Sequence, residues 1–387
     1  MARRRLPGFV VEYLEGGAED EQTLRRNRDA FGELRLVHRV LVDVSARTLR
    51  STLLGQELTM PLVIGPTGFN GLYWRHGDIA LARAARAAGV PFTASIAASD
   101  SIEEIAKEAG GRLWMMVLVL RDPKISERLI QRAEAAGCEA LVITLDAPVY
   151  GNRTWETRNM RNRGSLAWRA RFDALVHVRW LFGVLLRGLP GFGNIAEFLP
   201  PDKRGPLDGA RYMTGQSNAA LTWDAIRALR ERWKGKLVLK GILAASDAAE
   251  AARIGVDGIM LSNHGGRQLD AEVAPIDVLE EVAAAVAGKV ELIVDGGFRR
   301  GTDIAKALAL GARAVALGRA TLYGLAAGGE AGATRALEIL RSELDRTLAL
   351  LGCTAIEELS PDRLHRRGGE PRSDRPADTR RLRSQPR

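Results

Sequence analysis

One stretch of the chain, Ser262-Asn263-His264-Gly265-Gly266-Arg267-Gln268-Leu269-Asp270, concentrates side chains able to move a proton and hold an anion. A histidine set among glycines sits where backbone and ligand approach closely, and Arg267 carries a planar fork that suits a carboxylate. A base beside an anion clamp is an arrangement for general acid-base catalysis. His38, His76, His177 and His365 lack such surroundings and read as structural. A second constellation is Asp295-Gly296-Gly297-Phe298-Arg299-Arg300-Gly301 with Gly318-Arg319-Ala320, which together predict a phosphate-bearing cofactor held by glycine amides, a helix N-terminus and arginine. Lys240 ends the apolar run Leu237-Val238-Leu239. Its residue type allows a Schiff base, a fixed positive charge or a side chain reaching for solvent.

The elements that position these groups follow a strand-then-helix rhythm. Apolar, β-branched runs at 62–65, 91–95, 113–119, 140–145, 237–240, 258–261, 292–294 and 314–317 alternate with Ala-rich amphipathic stretches. Eight such units predict a closed (β/α)8 barrel, with the polar and Gly-rich strings at the mouth. Helix-start signals stand at Ser101-Ile-Glu-Glu, Ser246-Asp-Ala-Ala-Glu and Gly301-Thr-Asp-Ile. The rhythm breaks after the fourth strand, where an insertion of about 147–221 is too long for an ordinary loop. Within it, 176–192 (VHVRWLFGVLLRGLPGF) reads either as a lid on the barrel or as an interfacial anchor. The anchor reading puts Trp180, Leu181, Phe182, Val184, Leu185 and Leu186 at the head-group boundary, with Arg179 and Arg187 attracting anionic lipid.

Composition supports one large α/β domain: 387 residues, 46% hydrophobic and 27% charged. The domain spans 1–361, and 362–387 reads as a basic disordered tail. Much of the +9 net charge sits in that tail and in Arg3 to Arg5, which argues against a nucleic-acid groove. Cys138 and Cys353 have no metal-ligand spacing, so neither a disulfide framework nor a metal site is expected. No signal peptide or membrane-spanning run is evident, which points to the cytoplasm, or to the inner face of the cytoplasmic membrane if the anchor reading holds.

These motifs, together with Glu12-Tyr13-Leu14-Glu15-Gly16-Gly17-Ala18-Glu19-Asp20, resemble the FMN-dependent 2-hydroxy-acid oxidases and dehydrogenases of the glycolate oxidase group over nearly the whole chain. The strings YLEGGAEDE, LVDVS, IGPTG, LSNHGGRQLD and LGRATLYGLAA look most like its membrane-associated mandelate-oxidising branch. The resemblance implies FMN, with Pro66, Thr67, Gly68, Ser95, Thr144, Lys240, Ser262, Asp295, Gly297, Arg299, Gly318 and Arg319 along it. It implies Lys240 beside the flavin N1 and O2. It also implies Tyr13, Arg153 and Arg267 around a substrate carboxylate, His264 as base with Asp146 behind it, and a homotetramer. Gly68 stands where the oxidase branch commonly has alanine, which with the mandelate-like strings points to a quinone or another non-oxygen acceptor.

The chain departs from the family at the third strand, where Met116-Val117-Leu118 replaces Gln-Leu-Tyr and two polar contacts are absent. A bulkier, more apolar substrate than glycolate is the expectation. An amine oxidase on the same barrel, or a silent flavin-binding, membrane-docked protein, are the competing readings. The shared motif begins at Leu6-Pro7, without the short N-terminal helix usual in the family.

Overall fold

A computed structural model describes residues 1–162 and 165–366. The eight apolar runs become β1 Leu62–Ile64, β2 Phe92–Ser95, β3 Leu113–Leu118, β4 Ala140–Thr144, β5 Lys236–Ile242, β6 Gly258–Leu261, β7 Glu291–Val294 and β8 Ala314–Leu317. They form one closed parallel barrel, in which β8 returns to β1 with Ala316 opposite Val63. Across the insertion, β4 and β5 still pair directly, Leu141 opposite Leu237 and Thr144 opposite Lys240. Strands covered on both faces read as unbroken apolar runs because neither face meets water, and β1, β4, β6 and β8 are buried throughout.

Each strand leads to a helix: α1 Gly77–Ala88, α2 Ile102–Glu108, α3 Pro123–Ala135, α4 Trp223–Arg232, α5 Ala245–Ile254, α6 Pro275–Val286, α7 Gly301–Ala309 and α8 Arg319–Leu351. Ser101 and Glu104 form the predicted reciprocal cap on α2. The signal at Ser246 misleads, because α5 begins one residue earlier and Ser246 lies within its first turn. At α7, Asp303 accepts the amides of Arg299 and Arg300 and so fixes the turn that carries them.

Strand β5 carries a bulge between Lys240 and Ile242, which leaves Gly241 at φ +101°. A Cβ there would sit 2.6 Å from Cβ and Cγ of Asp146. Only glycine lets the two strand ends converge so closely.

The insertion folds into short helices at Thr154–Asn159, Trp168–Val176, Val178–Gly183 and Pro206–Gly215. Residues 176–192 are therefore not one helix, since the chain breaks at His177 and again after Gly183. Trp180 and Val184 are buried; the Trp180 indole donates to Leu72 O at 2.8 Å and meets Phe9 edge-on. Two of the six side chains assigned to the head-group boundary in the anchor reading are thus turned into the protein. The outward face instead carries Trp168, Phe172, Leu175, Val178, Phe182 and Leu186, each more than half exposed.

Two terminal expectations are corrected. Ala2–Arg5 forms a helical turn ahead of the helix Gly8–Glu15. The ordered domain extends past 361: Arg363 is buried and donates to Leu351 O, and Leu364–Arg366 pairs with Leu34–Leu36. The rest of the basic tail, 367–387, lies outside the described residues.

Candidate active site

The mouth of the barrel is organised by the turn after β6. His264, Gly265 and Gly266 take φ of +56°, +65° and +72°, a left-handed run that costs the histidine strain and is tolerated where surroundings over-determine it. Asn263 supplies that determination. It exchanges side-chain hydrogen bonds with Asn27, donates to Val273 O and accepts the Gly266 amide. Gly266 itself packs on Leu24, whose backbone a Cβ would meet at 2.7 Å. Asp270, at the end of the same string, accepts the amides of Asp20 and Thr23 and anchors the helix Gln22–Glu33.

Ser262 Oγ is the hub below His264. It accepts from Lys240 Nζ at 2.8 Å and from the His264 amide at 3.0 Å, and donates to Asp295 Oδ2 at 2.9 Å. Lys240 is buried, with Asp146 Oδ2 at 3.7 Å and Asp295 Oδ2 at 3.8 Å. Of the three roles its residue type allows, these contacts select a fixed charge held between two carboxylates.

Asp146 Oδ1 lies 2.9 Å from His264 Nδ1. Burial alone would raise this carboxyl, but Lys240 and then His264 hold it down to about 2. Burial pushes His264 below its usual value, opposed by Asp146 and assisted by Lys240 and Arg153. A neutral imidazole beside an ionised carboxylate carries its hydrogen on Nδ1 and leaves Nε2 as the basic nitrogen. Burial likewise raises Asp295, against the pull of Lys240.

Arg267 donates to the carbonyls of Tyr13 and Gly16, with its guanidinium 5.2 Å from the Tyr13 ring centre. Arg153 Nε lies 3.4 Å from the backbone carbonyl of Arg267. Gln268 was not singled out from the sequence, yet it donates to Asp146 O and Val149 O and accepts the Gly151 amide. It ties the segment bearing Asp146 and Arg153 to the histidine turn. Tyr73 was also missed; it is buried, stacks on Tyr13 at 6.1 Å and joins the cavity wall, and burial drives its phenol far up.

The same cavity is walled by Tyr13, Pro66, Thr67, Gly68, Lys240, His264 and Arg267 and by Asp295, Gly297, Arg299, Gly318 and Arg319. Met116 also faces it. Asp146, Arg153 and Ser262 sit beside this wall through the contacts above, while Ser95 and Thr144 are buried at the ends of β2 and β4. Gly297 owes its residue type to packing, because at φ +84° a Cβ would fall 1.8 Å from Asn27 O.

The family model for FMN-dependent dehydrogenase matches residues 2–366. The chain belongs to the FMN-dependent dehydrogenases. It is 45% identical to the (S)-mandelate dehydrogenase of Pseudomonas putida over 370 residues, covering 95% of this chain and 92% of the relative. It is 38% identical to an L-lactate dehydrogenase of Alcaligenes faecalis, covering 94% and 96%. Among solved structures, that of the monotopic membrane protein (S)-mandelate dehydrogenase superposes with a TM-score of 0.90 at 44% identity, covering 95% of this chain and 97% of that one.

The cavity suits the FMN of this family. Thr144 Oγ1, Asp146 Oδ2 and Asp295 Oδ1 are buried without a hydrogen-bond partner, whereas such atoms are nearly always satisfied in a finished site. Arg319 spends its donors on the carbonyls of Leu14, Gly265 and Gly16, and burial with Arg267 and Arg299 nearby pushes it down to about 9. Neither Arg299 nor Arg319 pairs with a carboxylate among the described residues. The phosphate of FMN, held by these arginines near the N-terminus of α8, would supply a counter-charge.

Proposed function

We propose that this FMN-dependent dehydrogenase oxidises an (S)-2-hydroxy acid bearing a bulky apolar or aromatic group to the 2-oxo acid, with His264 as the base. The observation that carries the reading is His264, held by Asp146 and sharing the cavity wall with Arg267 and Tyr13, with Arg153 beside it. Pro66, Thr67, Gly68, Ser95, Thr144, Lys240 and Ser262 hold the flavin and its ribityl chain, and Asp295, Gly297, Arg299, Gly318 and Arg319 hold the ribityl and phosphate end. FMN, when bound, takes up the electron pair that leaves the carbinol carbon. Arg153, Arg267 and Tyr13 hold the substrate carboxylate. His264 Nε2 accepts a proton from the carbinol group, and Asp146 stabilises the imidazolium that results. Lys240 adds fixed positive charge below the site. The two relatives, an (S)-mandelate dehydrogenase and an L-lactate dehydrogenase, support this substrate class.

Met116 on the cavity wall and the half-buried Leu118 favour an apolar substrate group. Apolar burial contributes roughly 25 cal/mol per Å², so a phenyl-bearing acid should exceed glycolate in kcat/KM by about tenfold or more. Anaerobic mixing with a panel of hydroxy acids, read as loss of flavin absorbance, tests both claims. No bleaching by any hydroxy acid removes the reaction, and faster bleaching by glycolate removes the inference from Met116 and Leu118.

We further infer that the insertion docks on a membrane and that electrons pass to a quinone or another non-oxygen acceptor. The exposed face of Trp168, Phe172, Leu175, Val178, Phe182 and Leu186 supports docking, as does the monotopic character of the mandelate dehydrogenase. No described helix is long and apolar enough to cross a membrane. Replacing Val178, Phe182 and Leu186 together by serine leaves Trp180 and Val184 in place, and should release most of the protein from liposomes while preserving turnover of a soluble substrate. Undiminished sedimentation leaves the segment as a lid. Turnover with oxygen faster than with a soluble quinone sinks the acceptor assignment.

A further inference from the structure

Beside the exposed apolar face lies an arginine pair whose charge no carboxylate among the described residues offsets. The guanidinium of Arg5, at the end of the N-terminal helical turn, lies 3.7 Å from the Trp74 ring centre. Trp74 is wedged against the kink of α8, where a Cβ on Gly329 would meet its ring at 2.5 Å. The stack therefore fixes where Arg5 can point. It points toward the insertion: a Cβ on Gly183 would lie 3.7 Å from Arg5 Nη2. Arg179 stands four residues before Gly183 on the helix Val178–Gly183, hence on the same face one turn away.

The electrostatics of this pair are unsatisfied. Arg5 Nε is buried with no hydrogen-bond partner. Among the described residues no carboxylate forms an ion pair with Arg5 or Arg179. The nearby Asp173 accepts the Gly8 amide and pairs with His177. Burial lowers Arg5 from its usual value, and the charge of Arg179 lowers it further. Two guanidinium groups on neighbouring elements whose charges oppose each other, one of them partly desolvated, are unfavourable without an anion nearby.

We propose that Arg5 and Arg179, backed by Trp74, form a binding site for the phosphate of an anionic phospholipid head group. A guanidinium laid flat on an aromatic ring keeps its edge free for two phosphate oxygens, and a second arginine completes the clamp. The choice of lipid over free phosphate follows from the surroundings. Val178 and Phe182 flank Arg179 on the same helix and are 56% and 60% exposed, so an anion arriving with an apolar layer satisfies both features at once. The site rests on the docking reading above and gives it an orientation, since it pins the N-terminal turn and the insertion to one bilayer face.

The test uses the FMN-loaded full chain, vesicles of phosphatidylcholine, and vesicles of phosphatidylcholine mixed with phosphatidylglycerol. Wild type should prefer the mixed vesicles, and Arg5→Ala and Arg179→Ala should each weaken that binding about fivefold while leaving binding to the neutral vesicles unchanged. Because both arginines share one phosphate, the double variant should be scarcely weaker than either single one. Losses that multiply, or an equal loss from Arg169→Ala on the same face, would mean diffuse attraction and overturn the site. Arg179 is exposed on a helix surface, so its variant should keep FMN content and Tm and separate lost binding from lost folding. Equal binding of wild type to both vesicles removes the site and leaves docking standing. Failure to bind either vesicle removes docking itself. Thermal stabilisation of wild type by inorganic phosphate alone, absent in both variants, assigns the clamp to a soluble anion and overturns the lipid claim.

Discussion

His264→Ala should retain FMN and lose reduction of the flavin by substrate about 10²- to 10⁴-fold. Retention is expected because the ligands of the cavity floor do not pass through the imidazole: Ser262 Oγ is held by Lys240, by Asp295 and by the backbone amide of residue 264. The loss is expected because His264 Nε2 is the base left available by the Asp146 contact at Nδ1. Alanine at φ +56° tolerates the left-handed conformation poorly, so His264→Asn, whose side chain suits that region, is the companion variant. Both should carry a full complement of flavin and fail in stopped-flow reduction. Reduction within a factor of a few of wild type in either would remove His264 from the chemistry.

A second large effect belongs to Asp146→Asn, and it has a sign in pH. The carboxylate raises the His264 value while burial lowers it further, so the base is neutral, and active, from below the usual histidine value upward. As pH falls through the lowered His264 value, the imidazole gains a proton and kcat/KM should drop. Asparagine removes the raising influence, so the acid limb should move to lower pH. The plateau should fall as well, because a hydrogen bond to a charged group contributes roughly 1.5–3 kcal/mol, or about 10- to 150-fold in rate. A merely structural role for Asp146 would lower the plateau without moving the limb. An acid limb that stays put or moves up in the variant would therefore reject the electrostatic role.

Much of this architecture was legible because it is written in short-range pattern. Strands covered on both faces must be apolar throughout, so eight such runs could be counted before any coordinates, and the polar strings that follow them had to lie at one rim. The mouth motifs were readable for the same reason, as His264 and Arg267 stand three residues apart in one turn. The signal at Ser246 failed because its cap chemistry is shared with helix interiors, and only packing decides where the first turn begins. The 176–192 segment was misjudged in part because its apolar residues cover more than one face. Composition cannot say that Trp180 turns inward to Leu72 while Phe182 turns out.

The sequence by itself determined the barrel, the order of its strands, the rim that carries the polar and Gly-rich strings and the family with its cofactor, since each is written in motifs of residues close together along the chain. The tertiary structure alone decided the electrostatics. Asp146 meets His264 across 118 residues of chain, Lys240 becomes a charge between two aspartates, and Gly241 is glycine because Asp146 occupies the space of its Cβ. Arg5 and Arg179 become one site only when the first turn packs on Trp74 and the insertion approaches Arg5 at Gly183. Charge and proton affinity depend on distance and on exclusion of water, and both are set by which distant segments the fold brings together.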